Sequence, residues 1–489
     1  MEIINAGDRF HRAQCIHQGV EGYERDLAKA EKIYCEILDH APSNPWVLYA
    51  LGTLHIELHH WGFGAFILSQ VANIQDDIGE LHNTLGIALR AMGDMDGADK
   101  AYARAGELLP GVADIPSNRA GLRINAGVPA QALEFATKAL ELDPDHVDAK
   151  SHKALALLEL GAWNKAWDYH EARLEKKSNA YSEFTVRPRN YSGDPDSPTP
   201  MWDGESDGTL VIHGEQGIGD EIMFASCFED VAKIVGWQGM LIEPQPRLQA
   251  LFQRTFPDCR VVGTHNVDGS DWIEKETDRP QFRIPMGSLP KFFRRSKEAF
   301  PRRPYLKADP DLVDAATRRL PSDAPRVGIS WQGGVHETHV ELRSIPLPAL
   351  RLILEQEVDW ISLQYTAEAV REVAEFENTS GIRVHHYPEL IEIGQDYDDT
   401  VALVASLDLL ITASQSALHV AGALGVPCWV LTPSAPDWRL GVGDSRHSIW
   451  YGDHLKLYRQ KMGEDWGPVI EEVAGDLVDW IRTRKAEAA

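Results

Sequence analysis

Small residues recur through the first third of the chain at a fixed interval of 34 positions, at Ala30, Gly64, Ala98, Ala132 and Ala166. Five positions in register specify a repeated structural unit, since each unit must set a small side chain at the same point of close approach. The same interval separates Gly93, Gly127 and Gly161, which mark turns, and Pro110 from Pro144, which with Pro42 mark helix ends. Gly52 and Gly86 keep the spacing early in a helix. Apolar residues from Trp46 to Leu58, Leu81 to Met92 and Ala149 to Leu160 recur at helical rather than strand spacing. Each unit therefore reads as two antiparallel helices.

Thirty-four residues is the tetratricopeptide (TPR) period, and it predicts about four to five units over residues 5–177. Such an array stacks into a superhelix that holds a peptide or a partner protein. Asn83 and Asn118, near the inner helices, are the expected acceptor-binding residues of this surface, because their amides can bond an extended backbone. Simple solvation is their other reading. An array of this kind also serves as a spacer or dimerisation element, which leaves a homo-oligomer open.

Periodicity disappears from Lys176 to Gly208, where Arg187 to Thr199 is rich in turn formers and Tyr181, Phe184, Tyr191 and Trp202 suggest a segment packed along a surface. Beyond it, short apolar runs alternate with helical stretches, the pattern of a parallel sheet covered by helices. Strands are expected at Thr209–His213, Gly239–Glu243, Arg260–Val262, Arg326–Trp331, Trp360–Gln364, Leu409–Thr412 and Cys428–Leu431. Prolines 304, 310 and 321 divide them into two sets. The expected organisation is a repeat domain (1–177), a linker (178–207), an acceptor-side lobe (208–312), a donor-side lobe (323–467) and a C-terminal helix (468–489). Ligands of such sheets sit beyond the carboxyl ends of the strands, at helix N-termini.

Composition narrows the function. A formal charge of −26, from 48 basic and 74 acidic residues, repels a phosphate backbone or an anionic leaflet, so no nucleic acid and no membrane partner is expected. No run of 18 apolar residues is present, and the N-terminus lacks the basic start and apolar stretch of a secretory signal. The five cysteines are scattered without a CxxC pair, which indicates neither a disulfide framework nor a zinc site. A cytoplasmic location is the expectation. The Asp-Pro-Asp runs at 143–145, 194–196 and 309–311 read as proline-punctuated helix ends and turns, so no metal is expected.

Four blocks, in order, carry a resemblance. They are Leu210 to Ala225 with its Gly217-Ile218-Gly219-Asp220 turn; Val327 to Gly334 followed by Arg343 to Leu347; Ser362-Leu363-Gln364; and Leu407 to Thr412 running into Ala417 to Pro427. Pro436 to Arg439 and Tyr458 to Gln460 complete the series. Together they resemble bacterial tetratricopeptide–glycosyltransferase fusions, relatives of the heptosyltransferases and, more distantly, of the O-GlcNAc transferases. The resemblance spans roughly residues 200–470. It implies an α-helical TPR solenoid followed by an α/β GT-B fold of two Rossmann-like lobes. The implied activity is transfer of a sugar from a nucleotide-sugar donor to a protein hydroxyl, with flagellin a plausible acceptor recruited by the array. Relatives with this fold generally manage without a metal. One departure stands out: where heptosyltransferases usually have an Asp-Thr pair after the strand at 409–412, this chain has Ser414-Gln415.

Glycosyl transfer needs a base beside the acceptor hydroxyl and positive potential beside the leaving phosphate. Asp220 matches the family's catalytic aspartate, with helix capping as its other use. His213 is the alternative base, or a structural histidine. Gly217 and Gly219 shape the acceptor turn. On the donor side stand Trp331, Gly333, Gly334, Arg343, Gln364, Ser416, His419 and Trp438. The two glycines allow close backbone approach, Arg343 can grip phosphate oxygens unless it sits in a surface ion pair, and Ser416 and His419 start a helix. The tryptophans either stack on the donor or belong to the core. Two other readings remain: assembly of a lipopolysaccharide core, and an interaction scaffold whose transferase fold has lost activity.

Overall fold

The computed structural model describes residues 6–175, 189–192, 194, 196–264, 279–322, 324–333, 340–391, 396–434, 437–441, 443 and 445–487, the side chains of 6, 341 and 342 excepted. Gly334, Tyr181 and Phe184 lie outside the described residues. The chain divides into two compact units, 1–156 and 157–489.

The first unit is built from helical hairpins: α1 (Ala6–Gln18) with α2 (Leu27–Leu38), α3 (Pro45–Glu57) with α4 (Trp61–Ile74), α5 (Gly79–Ala91) with α6 (Met95–Leu108), and α7 (Asp114–Asn125) with α8 (Pro129–Leu142). A further helix, α9 (Val147–Glu159), runs across the division. Starts are set by local chemistry. Asp26 accepts from the N–H of Lys29, Asp94 from that of Gly97 (both 2.9 Å), and Asn44 from that of Trp46 (3.1 Å) just before Pro45. Gly93 and Gly127 end α5 and α7 in the left-handed region, at φ 82° and 67°.

The 34-residue register has a direct cause in the packing. A Cβ on Gly64 would meet Ile56 at 2.3 Å, on Gly52 it would meet Leu68 at 2.8 Å, and on Gly86 Tyr102 at 2.6 Å. Ala30, Ala98 and Ala132 are fully buried at the equivalent positions. Each hairpin closes over a small residue, and the apolar stripes pack into successive core clusters along the array.

The second unit opens with α10 (Trp163–His170) and a 3₁₀ turn, Glu171–Leu174. Then follow β1 (Leu210–His213), α11 (Ile218–Ala225), α12 (Phe228–Val235), β2 (Met240–Glu243), α13 (Gln249–Thr255), β3 (Arg260–Val261), β4 (Phe282–Pro285), α14 (Pro290–Phe293) and α15 (Pro310–Arg319). Its remainder comprises β5 (Arg326–Ser330), α16 (Arg351–Leu354), β6 (Asp359–Ser362), α17 (Ala369–Ser380), β7 (His385–His386), α18 (Pro388–Ile391) and α19 (Asp398–Ala405). The last elements are β8 (Leu409–Ala413), α20 (Ser416–Leu424), β9 (Cys428–Thr432), β10 (His447–Ser448), β11 (Gly452–Arg459) and α21 (Gly467–Glu487).

Two sheets result: four parallel strands in the order β3-β2-β1-β4, and seven strands in the order β10-β11-β9-β8-β5-β6-β7, parallel except for the β10–β11 pair. All seven expected strands are present within a residue or two; β4, β7, β10 and β11 were not expected. The C-terminal helix α21 buries Val469, Ile470, Val473 and Leu477 in the core of the larger sheet. The end of the expected linker belongs to the smaller sheet, with the Trp202 N–H donating to the carbonyl of Arg283 on β4 (2.9 Å) and Tyr191 and Trp202 buried. Residues 157–175 also belong to this unit. The indole N–H of Trp167 donates to the carbonyl of Arg294 (2.7 Å), and Arg173 grips both carboxylate oxygens of Glu215 (2.7 and 2.9 Å).

Candidate functional site

The strand β1 ends at His213, and Gln216 at φ 63° turns the chain so that Gly217 caps α11. The Gly217 N–H donates to Asp220 Oδ2 (3.3 Å), so Asp220 does cap its helix. Its other oxygen faces elsewhere: Asp220 Oδ1 accepts from Nε of Arg439 at 2.5 Å. Arg439 also donates to Gln216 Oε1 (3.0 Å) and to Asp437 Oδ1 (3.2 Å), while Asp437 Oδ2 lies 3.5 Å from Nη2 of Arg343. Two arginines and two aspartates form a charge-neutral cluster. Arg439, Arg343 and local backbone hold the Asp437 carboxyl down at about 2, against the opposing effect of burial.

The second side of the site is α20. A Cβ on Gly219 would lie 2.9 Å from Cδ2 of His419 and 3.4 Å from Cα of Ser416, so only glycine lets the first turns of α11 and α20 meet. Nδ1 of His419 pairs with the Tyr451 hydroxyl at 2.9 Å, and the Tyr451 ring itself rests on Gly422, where a Cβ would come within 2.4 Å. That contact turns Nε2 toward Gly219. Burial pushes the imidazole down to about 4, so it is neutral near pH 7. Ser416 is engaged with the Tyr397 hydroxyl at 2.9 Å.

The loop after β5 reaches the same helix start. Gly333 lies so close to the carbonyl of Ser414 that a Cβ would approach it to 2.2 Å. Gln364 accepts from the backbone N–H groups of Trp331 (3.1 Å) and Gln332 (3.0 Å), which fixes this loop. Gln415 is buried and donates to Ser330 Oγ, itself 3.0 Å from Thr412 Oγ1. The Ser414-Gln415 departure therefore ties α20 to the ends of β5 and β8.

Several expected residues take other places. His213 is wholly buried, with burial and nearby arginines pushing its ring far toward the neutral form, and a buried ring is the setting of its structural reading. Trp331 is a core residue whose Nε1 donates to Glu372 (2.8 Å), not a stacking platform. Trp438 is buried, steeply inclined to the rings of Trp167 and His170 (centroids 5.8 Å from each), with the Arg439 guanidinium 4.6 Å from its ring centroid. In the first unit, the Asn118 amide donates to Asn83 Oδ1 (3.0 Å), which links α7 to α5.

No family model matches the chain. Protein FlbA of Caulobacter vibrioides is 28% identical over 431 residues, covering 85% of this chain and 69% of that protein. The BBSome complex member BBS4 of Bos taurus is 31% identical over 140 residues, 26% of this chain and 27% of that protein. Among solved structures, MamA matches 36% of this chain and 94% of its own at 22% identity and a TM-score of 0.30. YrrB, a TPR protein with an unusual peptide-binding site, matches 35% of this chain and 83% of its own at 18% identity and a TM-score of 0.29. The chain is similar to FlbA, and its first unit repeats helical hairpins at the 34-residue interval. At 85% coverage, that similarity takes in residues of both units.

Sequence reasoning passed over four groups near this site. Arg439 and Asp437 lay inside a recognised block without an assigned role, and only the fold brings them to Asp220. Glu159, at the end of α9, is buried with an unpaired Oε2, and burial with repulsion from Asp437 pushes its carboxyl up to about 8. Glu221, next to Asp220, is also pushed up to about 8 by burial. Helical periodicity disguised both as ordinary helix acids. No helix among the described residues is long and apolar enough to cross a membrane.

Proposed function

We propose that the chain transfers a sugar from a nucleotide-sugar donor to a protein hydroxyl, with a GT-B arrangement of its two sheets and the TPR array as the recruiter of the acceptor. The observation that carries this reading is the meeting of α11 and α20 at Gly219, which sets Asp220, Arg439 and His419 around one point beyond the carboxyl ends of β1 and β8. The α20 start supplies positive potential for a diphosphate, and the two arginines grip its oxygens on exchanging an aspartate contact for phosphate. Asp220 supplies a carboxylate.

Arg439 is at present shared between Asp220 and Asp437. A donor diphosphate engaging Arg439 and Arg343 competes with Asp220, and Asp220 Oδ1 is then free to take the acceptor proton. The acceptor oxygen bonds to the anomeric carbon as the bond from that carbon to the phosphate oxygen breaks. The nucleoside diphosphate leaves on the arginines, and Asp437, held ionised, keeps Arg439 oriented. His419, neutral and fixed by Tyr451, offers Nε2 to the same space.

Nucleoside diphosphate release from a nucleotide-sugar panel, measured with and without flagellin, tests the reading. Asp220→Asn is expected to slow release by about a hundredfold or more, with the protein still folded. Release unaffected by that change removes Asp220 from the chemistry. The inactive-scaffold reading draws on the Asp220–Arg439 pair itself, which occupies both groups; absence of release with every donor favours it.

A further inference from the structure

Three different ligand atoms converge in the first unit. His11 and Cys15 stand one helical turn apart on α1, and Glu21 comes from the connection to α2. Nε2 of His11 lies 3.1 Å from Oε2 of Glu21, and Sγ of Cys15 lies 3.7 Å from that nitrogen and 3.5 Å from that oxygen. In a tetrahedral zinc site, with bonds of about 2.0 Å to nitrogen and oxygen and about 2.3 Å to sulfur, the N–O edge is about 3.3 Å and both edges to sulfur are about 3.5 Å. All three observed edges agree within about 0.2 Å.

The backbone directs Glu21 to this point. Glu21 is a non-glycine residue at φ 54°, between Gly19 at 68° and Gly22 at 83°, a left-handed conformation unfavourable to a side chain. Cys15 is buried while His11 and Glu21 are exposed, so the convergent face opens to solvent on one side. The same residue types build nucleophilic relays, but a relay places the thiol on one ring nitrogen and the carboxylate on the other. Here both approach Nε2.

We propose that His11, Cys15 and Glu21 bind a borderline-soft divalent cation of the zinc class, with three protein ligands and a fourth position open to a small exogenous ligand. Cysteine spacing is silent about such a site because only one cysteine takes part. The site pins the α1–α2 connection onto α1.

Titration of the full-length reduced protein with cobalt(II), followed by thiolate-to-cobalt charge-transfer absorption and competed with zinc, tests the site. One equivalent is expected to bind and to be displaced by zinc, with the band lost in Cys15→Ser. Glu21→Gln and His11→Gln, both at exposed positions, are expected to weaken affinity by about tenfold or more with circular dichroism unchanged. No band in the unmodified protein, a band that survives Cys15→Ser, or unchanged affinity in Glu21→Gln overturns the proposal.

Discussion

At the residue scale, two buried groups give the second unit opposite responses to pH. The Oε2 of Glu221 accepts from the N–H of Gln245 (2.9 Å), and burial raises its carboxyl from 4.5 to about 8. A raised carboxyl stabilises the fold fully below about 4.5, and that stability is lost as pH rises through 8. Glu221→Gln is therefore expected to raise the urea midpoint at pH 8.5, by roughly 1–3 kcal/mol in stability, and to change little at pH 5. His419 runs the other way: its imidazole falls from 6.5 to about 4, so its contribution is complete above about 6.5 and is lost as pH falls through 4. His419→Gln is expected to flatten the acid limb of a midpoint-against-pH curve. An unchanged acid limb contradicts a neutral buried His419. Asp220, Gly219, Ser416 and His419 drew attention in the sequence because their blocks run from a strand into a helix, and Arg343 through the family resemblance. Arg439 did not, since its value depends on a pairing 219 positions away in the chain.

At the element scale, the repeat hairpins follow from one packing rule, and that rule predicts its own exceptions. Gly86→Val must push its branched side chain into Tyr102, which a Cβ alone approaches to 2.6 Å. A loss of roughly 1–3 kcal/mol is expected in thermal or urea unfolding, and a neutral outcome contradicts the register. Asp94→Ala removes the oxygen that satisfies the Gly97 N–H and is expected to cost about 1 kcal/mol. The helices were legible because their period extends over many residues. Strands with near-continuous apolar runs, such as Leu409–Ala413, were legible too. The strand β4 (Phe-Arg-Ile-Pro) carries a charge and ends in proline, and β11 alternates charged and apolar residues after Gly452, so neither looks like a buried parallel strand. Their pairing with β1 and β9 is a tertiary fact.

At the scale of the whole molecule, the chain divides into two compact units, 1–156 and 157–489. Residues 157–175 fold with the sheets through Trp167 and Arg173, so a deletion that removes the array but spares the proposed transferase must end before α9. Removal of residues 1–146 is expected to abolish modification of a protein acceptor while leaving donor hydrolysis within about a few-fold of the full chain. Persistence of acceptor modification excludes the array as the recruiter. The central claim is the nucleotide-sugar site at the meeting of α11 and α20, and isothermal titration of the full chain with a panel of nucleoside diphosphates and cytidine monophosphate tests it most directly. One nucleotide is expected to bind at a single site, about tenfold or more weakly after Arg439→Ala, and undiminished after Asp220→Asn. Binding of none of them contradicts the claim.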